Sequence, residues 1–238
     1  HPGWQATVDD NGCIILSCKQ RTNDKLATRT QADPILLEVF NNLFMSIAEQ
    51  MGVRLQQTAR SVNIKERLDF SCAVFDSSGD LIANAPHTPV HLGSMDRSVA
   101  SVIQAHPKML KGDVFVTNAP YNGGTHLPDI TVITPVFDND EAQPIFFVAS
   151  RGHHADVGGT APGSMTPLAT HIEDEGVILD NLKLVSNGEF LYLEIFEILA
   201  QNKYPCRNPE QNIADLKAQI AANEKGVSEL KSMISQFG

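Results

Sequence analysis

Apolar residues recur at helical spacing from Asp33 onward. Leu36, Leu37, Phe40, Leu43, Phe44, Ile47, Met51 and Leu55 form one broad stripe. Asp33 is a suitable N-cap, and Pro34 at the first helical position gives up only an amide that would have no partner. The pattern predicts a long helix, with Gly52 a weak point costing about 1 kcal/mol relative to Ala, where the helix bends. From Leu68 to Ala83 the period shortens. Phe70, Cys72 and Val74 alternate with Ser71, Ala73 and Phe75, then Asp76-Ser77-Ser78-Gly79-Asp80 turns the chain into Leu81-Ile82-Ala83, a hairpin with a buried strand. Residues 84–93 read as irregular, because Pro89 between His87 and His91 argues against a helical histidine pair. Ser94 to His106 suits a helix with Ser94 or Asp96 near its cap.

Further strands are expected at Asp113 to Thr117, Ile130 to Phe137 and Ile145 to Ser150, with Asp138-Asn139-Asp140-Glu141 turning between the last two. The tail from Asn208 to Phe237 reads as one long helix striped by Ile213, Leu216, Ile220, Val227, Leu230 and Ile234. Its polar face is left to solvent or to another part of the molecule. Ahead of all this, Trp4 to Val8 and Cys13 to Ser17 flank Asp9-Asp10-Asn11-Gly12 as a hairpin, and Lys19 to Gln31 is a polar linker. The fold class that follows is mixed α/β (α+β): a mainly antiparallel or mixed sheet, packed helices and a long C-terminal helix. Residues 1–32 form a junction and 33–238 one domain.

Composition narrows the function. Lys plus Arg is 18 against 28 Asp plus Glu, a net charge of -10, so the footprint of a nucleic-acid binder is missing. Apolar runs reach only about five residues, far short of the ~18 that span a membrane. Cys13, Cys18, Cys72 and Cys206 match neither a zinc ribbon nor a dense disulfide framework and read as reduced thiols of a cytoplasmic protein, although Cys13 and Cys18 could share a metal. Cys72, in an apolar strand, reads as core. The chain opens His1-Pro2-Gly3-Trp4 without an initiator Met or signal segment, as a stretch cut from a longer polypeptide would.

Candidate chemistry concentrates in two loops, 118–129 and 150–159, which hold three of the eight histidines, two aspartates and an arginine. His126 and Asp129 are spaced to turn to one side. The adjacent His153 and His154 point to opposite faces of an extended strand, so only one of them joins the pair. Two imidazoles and a carboxylate suit a divalent transition metal with open positions, and Asp156 is placed to accept the ring N–H of a ligating histidine. The competing reading has these histidines bonded to loop carbonyls. Gly123-Gly124 and Gly158-Gly159 match no phosphate loop, and Ser164 lacks a nucleophile elbow.

The blocks Ser61-Val62-Asn63-Ile64-Lys65-Glu66-Arg67-Leu68-Asp69-Phe70-Ser71, His87-Thr88-Pro89-Val90-His91-Leu92-Gly93-Ser94-Met95, Gly123-Gly124-Thr125-His126-Leu127-Pro128-Asp129 and Gly152-His153-His154-Ala155-Asp156-Val157-Gly158-Gly159 resemble the hydantoinase B/oxoprolinase family. Phe44-Met45-Ser46-Ile47-Ala48-Glu49-Gln50-Met51-Gly52 looks like its fused ATP-dependent 5-oxoprolinases. The resemblance covers residues 33–238, with 1–32 similar to the junction after a hydantoinase A-type half. It implies that ATP and its Mg ion belong to that A-type half, absent here, so this chain has no ATP site. It also implies lactam hydrolysis of 5-oxoproline to glutamate, a step of glutathione metabolism, with a cyclic amide as substrate. Apolar surface left by the absent part, with the long C-terminal helix as contact, points to a homo-oligomer. The family's H-x2-D pair and later His, which bind manganese in related acetone carboxylases, carry over to His126, Asp129 and His153, with His154 the alternative. Manganese is the expected metal, zinc or iron the alternatives. His87, His91, Asn118, Arg151 and Asp156 become candidates for substrate contact or support. The chain is about half a B-type region, so it is expected to be inactive alone. A hydantoinase or ketone carboxylase component, or a non-catalytic scaffold segment, is the other reading.

Overall fold

The computed structural model describes residues 4–8, 12–18, 33–138 and 142–237. They fall into two units, residues 1–37 and residues 38–238. In the first, β1 (Trp4–Val8) pairs antiparallel with β2 (Ile14–Cys18), Ala6 opposite Leu16. The expected turn at 9–11, the linker at 19–31 and the Cys18 side chain lie outside the described residues. Helix α1 (Pro34–Thr58) begins where the sequence places it: Asp33 Oδ1 accepts the Ile35 N–H at 2.9 Å.

In the second unit α1 runs on, unbroken through Gly52, to a short α2 (Val62–Lys65). Its apolar stripe is buried only from Ile47 onward, through Ala48, Met51 and Leu55. The hairpin of β3 (Phe70–Asp76) and β4 (Leu81–Asn84) follows. Residues 89–92 correct the sequence reading. They form a helical turn, α3 (Pro89–Leu92), with Pro89 at its start, where a missing N–H costs nothing. Helix α4 (Met95–Ala105) then leads to β5 (Val114–Thr117), β6 (Asp129–Val136) and β7 (Phe146–His153). Residues 139–141, most of the anticipated turn between β6 and β7, lie outside the described residues. The chain closes with β8 (Leu182–Ser186), β9 (Glu189–Phe190), α5 (Tyr192–Ala200) and α6 (Pro209–Phe237).

The seven strands β3 to β9 form one antiparallel sheet in the order β4-β3-β7-β6-β5-β8-β9. Both faces are covered, and strand parity decides which side chain goes where. Cys72, Val74, Val148, Ile130 and Val132 face α1, α5 and α6, where Met51, Leu55, Leu216 and Ala222 pack. Ala73, Phe75, Phe147, Ala149, Ile133 and Phe115 face α4, against Val99 and Val102.

Helix α6 departs from its apolar stripe. Asn212, Asp215, Gln219 and Asn223 are buried along with Ile213 and Leu216. Gln219 donates to Ile130 O and Ser150 O, and Asn223 to Val132 O. Much of the polar face left open by the sequence thus meets the chain's own sheet, where carbonyl oxygens satisfy it.

Candidate metal centre

Strands β6 and β7 end together at the site. Their register sets Asp129 directly opposite His153 and Thr131 opposite Arg151, all on the α4 face. The turn before β6 adds His126: Asp129 N donates to His126 O and Ile130 N to Pro128 O. This folds the H-x2-D segment so that both side chains converge. The backbone before it is forced by crowding. Gly123 adopts φ +89°, and a Cβ there would lie 2.3 Å from Ser98 N, so only glycine lets this loop seat on α4.

Asp129 is the hub. Its fully buried carboxylate meets His126 Nδ1 at 2.8 Å through Oδ2 and His153 Nδ1 at 3.0 Å through Oδ1. Thr125 Oγ1 donates to Oδ2, and His91 Nε2 lies 3.4 Å from Oδ1. Burial opposes the charge, but hydrogen bonds from His126, His153, His91 and Thr125 outweigh it and hold this carboxyl well below the usual carboxylate range. The bond to Asp129 raises the pKa of His126 against its own partial burial. His126 is the outermost of the three, with a third of its side chain exposed, against 15% for His153.

Donor atoms of His126, Asp129 and His153 lie within 4.8 Å of one another. Two donors of one ion at ~2.1 Å stand about 3.0–3.4 Å apart at octahedral or tetrahedral angles, so the three side chains would draw together by about 1–2 Å to share an ion. Two imidazole nitrogens and one oxygen are the chemistry of a borderline divalent cation, and the residues fit such an ion.

The two adjacent histidines separate as their parity requires. His154 turns to the α6 face, where Asn212 Nδ2 donates to its Nδ1 at 3.2 Å and Gln219 Oε1 lies 3.0 Å from its Nε2. That network makes it a neutral Nε2–H tautomer, and burial lowers its pKa. The alternative ligand therefore belongs to the packing of α6.

The remaining candidates support the site. Arg151 is fully buried, and its five N–H groups are all engaged, by Thr131 Oγ1, His91 O, Ser94 Oγ, Ser98 Oγ and Gly123 O at 2.7–3.0 Å. It joins α3, the start of α4 and the Gly123 turn beneath the centre, with no donor left for substrate; burial draws its pKa down to about 10. Ser94 caps α4 with no side-chain bond to the helix, because its hydroxyl is taken by Arg151. Asn118 ties its loop down through Leu127 O, Val177 O and Leu179 N. Asp156 accepts no histidine N–H among the described residues. It binds the amides of Gly158, Gly163 and Arg207 and the Arg207 guanidinium. His87 accepts the Cys72 N–H and packs against α1, where a Cβ on Gly52 would come within 2.6 Å of its ring. The weak point of α1 is thus a seat for an imidazole.

Asp69, which the sequence offers only as part of a family block, also belongs to the site. The β3–β7 register, extended one residue, sets it opposite His153, whose N–H it accepts, and its carboxylate lies 3.5 Å from His91 Nε2. Strand parity from Ser71 was the available signal.

Comparison with known proteins agrees with this architecture. The chain is 47% identical to 5-oxoprolinase 1 of Arabidopsis thaliana, over 100% of its own length and 19% of that protein. With 5-oxoprolinase of Saccharomyces cerevisiae it shares 46% identity over 99% of its length and 19% of the relative's. An ATP-dependent caprolactamase from Pseudomonas jessenii superposes with a TM-score of 0.76 at 28% identity, covering 87% of this chain and 35% of that one. The chain thus spans about a fifth of the length of these 5-oxoprolinases. The hydantoinase B/oxoprolinase family model matches residues 33–238, and to that family this chain belongs.

Proposed function

We propose that this chain is part of an ATP-dependent 5-oxoprolinase, which opens the lactam of 5-oxoproline to glutamate as ATP is hydrolysed to ADP and phosphate. Residues 33–238 are the first portion of its B-type domain, and 1–32 the junction after an A-type half that holds ATP. The observation that carries the reading is the buried Asp129 carboxylate clasped by His126 and His153, in a chain 46–49% identical to proteins named 5-oxoprolinase.

An unstrained amide is a poor electrophile, and phosphorylating its oxygen on the A-type half makes the ring carbon open to water. His126, Asp129 and His153 hold a divalent ion, manganese first, zinc or iron as alternatives. Such an ion, when bound, polarises an oxygen and lowers the pKa of a bound water. Asp129 stays anionic, and His91 and Thr125 orient its carboxylate. Arg151 fixes the loops that carry His91 and His126.

No helix among the described residues is long and apolar enough to cross a membrane, and Cys72 and Cys206 are buried thiols. Both suit a cytoplasmic enzyme. Exposed Ile35, Leu37 and Val39 on α1 suit association with other parts of the assembly.

The test assays the full-length protein with 5-oxoproline, hydantoins and acetone, beside His126→Ala and Asp129→Ala variants. ATP-dependent glutamate release, with one metal per site lost in both variants, is the expected result. Turnover of hydantoin or acetone alone moves the chain to another branch of the family. Metal-free turnover unaffected by either substitution refutes the centre.

A further inference from the structure

Beside His126 lies an open cavity of about 530 Å³ whose other walls are Ser164, Met165, Thr166, Pro167 and Glu175. That volume is within the ~300–1,000 Å³ typical of small-molecule sites. It adjoins the most exposed of the three candidate ligands, so a molecule seated there reaches the centre.

The walls are fastened. Ser164 adopts φ +57°, unusual for a residue with a side chain, and is held there because its buried hydroxyl donates to Gly158 O at 2.6 Å and accepts from Val157 N at 2.8 Å. Asp156 grips the adjacent Gly163 N. Across the cavity, the turn ending at Glu175 is pinned by Thr160 N to Asp174 O and Glu175 N to Ile172 O. Backbone strain and five anchoring bonds thus fix the two sides of the cavity. Met165 and Pro167 supply apolar surface. Glu175 supplies a carboxylate with no hydrogen-bond or ion-pair partner among the described residues. Among the described residues the lining contains no Lys or Arg.

We infer that this cavity is the subsite for the cyclic amide, and that Glu175 accepts the hydrogen bond of its ring N–H while Met165 and Pro167 flank the ring. The inference rests on the lactamase reading above and deepens it. A lining without cations directs a substrate carboxylate out of the cavity. An N–H donor matches Glu175, and the match strengthens during reaction. Withdrawing electrons from the amide oxygen leaves positive charge on nitrogen, which a facing carboxylate stabilises. Glu175 is therefore the residue that distinguishes a lactam from a ring of the same shape with oxygen in place of N–H.

The experiment uses the full-length enzyme with 5-oxoproline as substrate and 5-oxotetrahydrofuran-2-carboxylate, the ring-oxygen analogue, as competitive inhibitor. In Glu175→Ala, KM for 5-oxoproline rises about 10-fold or more, as expected for loss of a hydrogen bond to a charged group. The inhibition constant of the analogue changes less than about 2-fold on the same argument, since it has no N–H to lose. Glu175→Gln, which keeps a carbonyl acceptor without the charge, falls between. Metal content stays at the parent value in both variants. An unchanged KM in Glu175→Ala overturns the inference, as does an equal loss for both molecules, or a loss of metal. A parent enzyme that opens no lactam overturns the underlying function, and the inference with it.

Discussion

Replacing Arg151 with methionine removes a cation of similar length from the interior and strands everything it holds. Five hydrogen bonds to a charged donor, at about 1.5–3 kcal/mol each, would nominally exceed the whole stability of an ordinary domain. They are not additive, and two offsets apply. Methionine escapes the desolvation of a buried guanidinium, and the hydroxyls of Ser94, Ser98 and Thr131 can rotate toward other acceptors. The carbonyls of His91 and Gly123 have no such freedom. The expected net loss is about 3–5 kcal/mol, the range found when one partner of a buried charged interaction is deleted. Arg151→Lys keeps the charge but replaces a five-donor fork with a single point, so it recovers only part of this. Urea unfolding followed by circular dichroism gives the stability. Manganese titration gives a second readout, because Arg151 secures the turns that carry His91 and His126; affinity falls about 10–100-fold, as for other outer supports of metal ligands. A methionine variant within 1 kcal/mol of the parent, by the same scale, with unchanged metal affinity would refute the reasoning.

Gly52→Ala, stabilising by about 1 kcal/mol on helix propensity alone, is instead destabilising by about 1–3 kcal/mol, because its Cβ meets the His87 ring at 2.6 Å; combining it with His87→Ala recovers most of the loss in a double-mutant cycle. Gly123→Ala, which adds a clash with the α4 backbone to a positive φ, lowers thermal stability and metal affinity together, measured by calorimetry and titration. Asp156 has its carboxyl held below the ordinary range, where amide hydrogen bonds from Gly158, Arg207 and Gly163 outweigh the opposing effect of burial. Its contribution is present above the unfolded value near ~4 and is lost as pH falls through the lower folded value; the gap in urea midpoint between parent and Asp156→Asn is therefore level above pH ~5 and closes below pH ~4.

Period and punctuation made most of the fold legible. Asp33-Pro34 marked the start of α1 and the alternation around Cys72 marked β3, because both signals are local. The α3 turn is not legible, because a proline reads as a helix breaker by type while its place at the first helical position decides its effect. The buried polar face of α6 could not be read at all: Gln219 and Asn223 are buried by carbonyls of strands some 90 residues away. At the site, strand parity separated His153 from His154 and loop spacing joined His126 to Asp129. Arg151 and Asp156 looked like ligand-binding groups because residue type reveals a capacity to bond, while tertiary packing decides what is bound. Asp69 and Thr125 carry weak signals, each a common residue inside a longer block whose histidines, glycines and other members are more conspicuous.

The pairing of Asp129 with His153 has a consequence for which insertions and deletions the chain survives. The two residues are the open end of a hairpin whose far end is the β6–β7 connection. Residues added to that connection leave the register of the two strands unchanged and the pair facing. A single residue deleted within β7 shifts the strand by one step and reverses its faces. His153 would then face α6, and His154, withdrawn from Asn212 and Gln219, would take its place opposite the carboxylate. Length variation is therefore cheap at one end of this hairpin and disabling along its second strand, a distinction that a scan of one-residue deletions across 137–153 would draw sharply.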